Sequence, residues 1–277
     1  MSNPLTMKLE QFTRFDDAER RRLNDLLHHP RKSYARGEAI IAEGEKVRDI
    51  HVVVSGLAAR TKRMPDGGRQ IMALLVPGDL CDVEVFILEA MDHEITAMCD
   101  TSCALIPAAE MEDLLTESSN LTKAMWWSTM TDSAILREWI VDHGRRDARE
   151  RIAHLICELL IRYRVVGETS DDSFPFPLTQ EDLAAATGMT PVHVNRTLRQ
   201  LRAEGLVETK GRALAVLDPE RLQKVAQYDS NYLHLARTER RDSDVSDRAG
   251  DLVGRSGGGA GRAAVETVKA LFRSSAA

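Results

Sequence analysis

The chain has 277 residues, of which 43% are hydrophobic and 29% charged, with four cysteines and a formal net charge of −6. That length fits one large domain or two ordinary ones. The longest apolar run, at 71–77, is far too short to cross a bilayer, residues 1–30 lack the apolar stretch of a secretory signal, and four cysteines make no disulfide framework.

The expectation is a reduced, cytoplasmic protein without a membrane segment. Its charge is unevenly spread: residues 1–173 carry a net −8, whereas 174–225 and 226–277 carry +1 each. Only the docked face of a protein meets phosphates, so the overall sign excludes little about nucleic acid.

Residues 5–30 predict a short helical lead-in that stops before His29-Pro30, because proline disfavours helix in the residue ahead of it. From Tyr34 to about residue 107, short apolar runs (39–41, 50–54, 71–76, 83–88 and 103–106) are separated by glycines 37, 44, 56, 67, 68 and 78. Such a pattern predicts an antiparallel sandwich or barrel. Met64-Pro65-Asp66-Gly67-Gly68 has the composition of a hairpin tip.

From 108 to 163 the strand signals stop and no proline occurs. Leu121, Met125, Ile135 and Trp139 line one helical stripe, interrupted by Ser128 and Asp132. It serves either a core helix or a subunit contact. A second helix over 149–164 buries Ile152, Leu155, Ile156, Leu159 and Leu160, and the polar segment 167–177 connects it to the next unit.

The stretch 178–217 carries the most information. Thr179 ahead of Gln180-Glu181-Asp182 is an N-cap followed by an acidic first turn, and Leu183, Ala184 and Ala186 make a short helix that stops at Gly188. Thr190-Pro191 opens another helix, with Val194, Leu198 and Leu201 as its buried stripe. Its other side carries His193, Asn195, Arg196, Arg199 and Arg202, and residues 206–216 follow as a small hairpin turning at Lys210-Gly211.

Helix, tight turn and helix expose the second helix along one side, which fits the major groove. Arg196 can donate a bidentate pair to guanine, while Thr179, Gln180, Thr190 and Arg199 are placed for phosphate. Lys210 and Arg212 lie on the hairpin, beside an adjacent stretch of backbone.

A glycine-punctuated β unit, a long helix and a C-terminal winged helix, in that order, resemble the family of the cyclic-AMP receptor protein and the fumarate–nitrate reduction regulator (CRP/FNR). The resemblance spans about residues 10–225. It rests on Gly37-Glu38, Gly44-Glu45, Gly56 and Gly78-Asp79, then on Asp147, Arg151-Ile152-Ala153, the run Leu178 to Ala184, Gly188-Met189-Thr190 and Val194-Asn195-Arg196.

It implies an α+β fold: a β-roll effector domain with its helical lead-in (1–107), a long dimerisation helix region (108–146), a winged helix-turn-helix DNA-binding domain (147–225) and a partly disordered tail (226–277). It also implies a homodimer assembled along Leu121, Met125, Ile135 and Trp139, a palindromic double-stranded DNA operator, and RNA polymerase as a further partner.

Departures from the family pattern narrow the reading. The family's cyclic-AMP binders carry a Gly-Glu and an Arg-Ser that hold the cyclic phosphate. Here residues 81–86 lack the Gly-Glu, and the Arg-Ser region reads Met91-Asp92-His93-Glu94-Ile95-Thr96, whose Asp92 and Glu94 repel a phosphate. The family's adenine-facing pair falls on Leu136 and Arg137. Cyclic AMP is therefore disfavoured, and the effector is unknown or absent. No cysteine precedes Cys81, which argues against the branch that holds an iron–sulfur cluster through N-terminal cysteines.

In the recognition helix, Val192 stands where the family often carries a cytosine-reading glutamate, and valine offers apolar contact to a thymine methyl. Cys81, Cys99 and Cys103 are either small core hydrophobes or, with His93, a thiol or metal sensor; no cofactor is expected, and Cys157 is core. Residues 237–261 suit a disordered linker, after which Ala264, Val265, Val268, Leu271 and Phe272 recur at helical spacing. Without a phosphate loop, H-E-x-x-H or nucleophile elbow, no enzyme is expected. The alternative is a sensor of the same fold, responding to a redox signal, metal or small ligand, whose output is protein contact.

Overall fold

The computed structural model describes residues 3–83 and 88–235. The predicted linker at 237–261 and the helical spacing at 264–272 lie outside the described residues, as does the middle of the apolar run at 83–88.

The lead-in forms two helices rather than one, α1 (Pro4–Leu9) and α2 (Asp17–Leu26). Each has its own cap. Asn3 accepts from the backbone N–H groups of Leu5 and Thr6, and Asp16 with Glu19 makes a reciprocal capping box.

Seven strands follow: β1 (Arg31–Tyr34), β2 (Ala39–Ile41), β3 (Asp49–Ser55), β4 (Ala58–Arg63), β5 (Arg69–Leu75), β6 (Glu94–Ala97) and β7 (Thr101–Pro107). They form two antiparallel sheets ordered β1-β7-β3 and β2-β6-β4-β5. Alternation along each strand divides the core. Val53 pairs with Cys103 and both point inward, onto Tyr34, Ile41, Leu75, Cys81 and Ile95. The next pair, Val52 and Ala104, faces the other way, onto Leu5, Leu9, Leu23 and Leu26 of the lead-in helices.

The tip at 64–68 joins β4 to β5, with the Met64 N–H donating to the Gly68 carbonyl at 2.8 Å. Gly78 (φ +88°) lies so close to α1 that a Cβ there would stand 2.5 Å from the Pro4 carbonyl oxygen, so only glycine fits.

The helical stretch breaks twice, into α3 (Ala108–Glu117), α4 (Ser119–Arg145) and α5 (Ala148–Val165). Ser118 caps α4 through the Leu121 N–H, and Asp147 with Glu150 boxes the start of α5. The 27 residues of α4 span about 40 Å.

The predicted subunit contact is corrected here. Leu121, Met125, Ile135 and Trp139 are all 6% exposed or less and face inward. Leu121 and Met125 pack among the lead-in helices and the outer face of the β1-β7-β3 sheet, and Ile135 and Trp139 pack against α5. The physical reason is that α4 has two apolar stripes. The one that stays exposed holds Trp126, Met130, Leu136, Ile140 and Val141.

The last unit comprises β8 (Ser173–Pro175), α6 (Gln180–Thr187), α7 (Pro191–Ala203), β9 (Val207–Lys210), β10 (Ala213–Val216), α8 (Pro219–Ala226) and a 3-10 turn (Ser230–Leu233), with its strands ordered β8-β10-β9. Tyr232 and Leu233 of that turn are buried with Leu222 in the core around α5, so folded structure continues past residue 226. No described helix is long and apolar enough to cross a membrane.

Buried charge ties the lead-in, the β-roll and α5 together. Asp79 accepts from Lys8 at 2.7 Å and from Arg162 at 2.6 Å. Arg162 also donates to the Leu74 carbonyl at 2.8 Å and to Glu158 at 3.0 Å. Glu158, fully buried, in turn accepts from Trp139 Nε1 at 3.1 Å and the Tyr232 hydroxyl at 3.2 Å. Every charge in this chain of contacts has a partner, as burial demands.

Candidate nucleic-acid interface

Local chemistry builds the helix-turn-helix. Thr179 caps α6 by accepting from the Asp182 N–H at 3.1 Å, while the Asp182 carboxylate accepts from the Thr179 N–H at 2.8 Å. Gly188 ends the helix in the left-handed region (φ +67°), where a Cβ would already meet the His143 ring at 3.2 Å. Thr190 then caps α7 through the His193 N–H at 3.3 Å, with Pro191 at its first position.

Val194, Thr197, Leu198 and Leu201 seat α7 on the core. The opposite side faces solvent. Val192 is 80% exposed, Thr190, Arg196, Arg199 and Arg202 are exposed, and His193 and Asn195 are half-buried. Thr179 and Gln180 are also exposed at the start of α6. The Thr179 hydroxyl, however, donates to Asp182 at 2.8 Å, so phosphate would have to compete for that proton.

The wing turns one residue later than its sequence suggests. Lys210 pairs with Ala213 across the hairpin, leaving Gly211 (φ +62°) and Arg212 as the two-residue turn. Lys210, three-quarters exposed, lies 3.1 Å from Glu208. Arg212 borders a cleft of about 190 Å³ together with Gly56, Cys99, Tyr163 and Pro177, so it sits beside the β-roll as well as on the wing.

The three candidate sensor cysteines do not come together. Cys81 and Cys103 are buried side by side inside the β-roll, where hydrogen bonding to Cys103 and burial push the Cys81 thiol well up. Cys99 lies in the turn before β7, so it does not share a strand face with Cys103. Cys157 is core, its thiol pushed up to about 12 by burial. Among the described residues, no group of three or more His, Cys, Asp and Glu side chains could hold a metal ion.

The arginines that β4 carries beside the segment 91–96 are engaged. Arg60 donates to the Leu80 carbonyl at 3.3 Å and pairs with Asp132 of α4 at 3.4 Å, and Arg63 pairs with Glu94 at 3.3 Å. His93 hydrogen-bonds Asp92.

Comparison with known proteins agrees with this geometry. Residues 31–118 match the cyclic nucleotide-binding domain, and residues 150–225 match the Crp-like helix-turn-helix domain. The chain is 28% identical over 204 residues to the transcriptional activator protein FnrL of Cereibacter sphaeroides, covering 72% of this chain and 82% of that one. It is 25% identical over 196 residues to the nitrogen fixation regulation protein FixK of Bradyrhizobium diazoefficiens, covering 71% and 81%. The solved structure of FixK2 from Bradyrhizobium japonicum superposes with a TM-score of 0.65 at 25% identity, covering 72% of this chain and 98% of that one.

The fold and the exposed helix define a DNA-binding transcription regulator with a cyclic-nucleotide-binding-type β-roll. The chain belongs to the CRP/FNR family.

Two features escaped the sequence reading. One is the exposed stripe of α4. The other is a pair of β-roll arginines, Arg36 and Arg69, that reach Asp182 at the first turn of α6.

Proposed function

We propose that two copies of the protein bind a palindromic operator through α7, with Arg196 and Val192 reading bases. Thr179, Gln180, Thr190, Arg199, Lys210 and Arg212 meet backbone, and His193 and Asn195 flank the reading edge. The carrying observation is the two-sidedness of α7: its apolar stripe is buried, and Val192, Arg196 and Arg199 stand together in solvent.

The exposed face of α4 supplies the dimer contact. Trp126, Met130, Ser133, Arg137, Ile140 and Gly144 are all exposed and alternate four and three residues apart, which is the spacing of a coiled-coil seam. Cyclic AMP is not the effector in this reading, because Arg60 and Arg63 are held by carboxylates and Asp92 and Glu94 line the segment where a phosphate anchor would stand. FnrL is named a transcriptional activator, and we assign the same output to this chain, through contact with RNA polymerase.

Selection from a random-sequence DNA pool tests the reading. It should enrich an inverted repeat with half-sites about 10–21 bp apart, with the same affinity whether or not cyclic AMP is added. That operator, placed upstream of a promoter, should raise run-off transcription. An asymmetric single site, an affinity that requires cyclic AMP, or unchanged transcription contradicts the corresponding part.

A further inference from the structure

Asp182 belongs to the helix-turn-helix, yet its carboxylate is gripped from the β-roll. Its side chain is 2% exposed and receives two guanidinium groups. Arg69, at the start of β5, donates to Oδ1 at 2.6 Å, and Arg36, in the turn between β1 and β2, donates to Oδ2. Arg36 also donates to the Met98 carbonyl of the β-roll and, at 3.2 Å, to the Pro177 carbonyl just ahead of α6. Burial alone would raise the Asp182 carboxyl, but the Thr179 N–H and Arg36 hold it below the usual carboxylate range, so it is charged at neutral pH.

The geometry has directional consequences. Apolar packing between the β-roll and the winged helix resists separation but is tolerant of sliding and rotation. Two planar guanidinium groups, arriving on two different oxygens from two different β-roll segments, fix both the position and the rotation of the first turn of α6. That turn carries Thr179 and Gln180, and α7 is joined to it through the tight turn at Gly188. The orientation of the recognition helix is thereby referred to the β-roll and not to the winged helix alone.

We infer that Arg36 and Arg69 are positioning residues that set the half-site spacing the protein accepts, by clamping α6 through Asp182. This rests on the reading of a dimer on a palindromic operator. In a two-fold assembly each recognition helix must meet its half-site in register, and base pairs are stacked about 3.4 Å apart. A winged helix held at one rotation accepts one spacing. Released from its clamp, it rotates on its apolar seat and accepts neighbouring spacings.

The test uses the full chain and the selected operator with its central spacer shortened or lengthened by one or two base pairs. Wild type should lose affinity with a one-base-pair change by about as much as a mismatched base pair costs, roughly tenfold. The doubly substituted Arg36→Gln/Arg69→Gln protein should lose only about threefold, on the same scale. Arg69→Lys alone, which keeps a charged donor for Oδ1 beside intact Arg36, should retain most of the preference.

Should the double variant fail to fold by circular dichroism, Asp182→Asn gives the same ratio, since its amide oxygen keeps an acceptor for the Thr179 N–H while the charge is lost and the oxygen facing Arg69 becomes a donor. A uniform loss of affinity on every spacer, with the ratio unchanged, overturns the inference. Failure of wild type to bind any palindrome overturns instead the dimeric operator reading on which it rests.

Discussion

Asp79→Asn is expected to destabilise the fold by about 3–5 kcal/mol, the usual cost of removing one partner from a buried ion pair. The carboxylate is 2% exposed. Beyond Lys8 and Arg162, it accepts from the Val76 N–H at 2.7 Å within the Gly78 turn. An amide fills the same volume and can still accept from Val76. What it removes is the charge that compensates Lys8 and Arg162, whose side chains are only 12% and 10% exposed, together with the acceptor that faces Lys8, where the amide nitrogen is a donor.

The pH dependence follows. Burial alone would raise the Asp79 carboxyl, but Lys8 and Arg162 hold it below the usual carboxylate range. A folded-state value below the unfolded one, near 3.9, contributes stability that is complete above about pH 4–5 and is lost as pH falls through the folded-state value. Urea melts of wild type and Asp79→Asn should therefore differ most near neutral pH and converge in acid. A variant within about 1 kcal/mol of wild type at pH 7 would mean that the charges relax to water at little cost.

Arg196→Ala and Lys210→Ala should separate two roles for one charge. Arg196 is exposed between the buried Val194 and Leu198, on the solvent-facing side of α7. Loss of a bidentate guanine contact should cost about 1–3 kcal/mol on the operator and relax preference at one base pair per half-site.

Lys210 stands beside the wing turn, and its exposed contact with Glu208 is the kind of surface pair that phosphate displaces readily. Its loss should weaken all sequences alike and lower the salt slope by about one unit per contact. Titrations against operator and scrambled DNA at several salt concentrations read both. A uniform loss in both variants, with no altered base preference for Arg196→Ala, would remove Arg196 from the base-reading role.

The helix-turn-helix was legible in the sequence because its signals are local: Thr179 and Thr190 cap, Pro191 opens and Gly188 takes the left-handed conformation its position requires. The long hairpin tip at 64–68 was legible for the same reason. Strands β1 and β4 were not, since Arg-Lys-Ser-Tyr and Ala-Ala-Arg-Thr-Lys-Arg look like solvated chain. Arg60 is buried there beside Asp132 of α4, far along the chain, with which it pairs.

The same limit explains α4. Ala124, Met125 and Ile135 on one side and Trp126, Met130 and Ile140 on the other are both apolar, and which side is covered depends on where the β-roll and α5 pack. Arg36 and Asp182 lie 146 positions apart, so no spacing rule could have joined them.

The dimer is most directly tested by sedimentation of the full chain with and without a selected operator, comparing wild type with Ile140→Glu. Ile140 is 71% exposed in the single chain, so a glutamate there disturbs no internal packing, but in a coiled-coil seam it would bury like charges against each other. Wild type should sediment as a dimer and carry two chains per operator. Ile140→Glu should be a folded monomer that binds the operator far more weakly. A wild-type monomer that occupies the operator as one chain, or a variant that dimerises and binds as wild type does, would contradict the account.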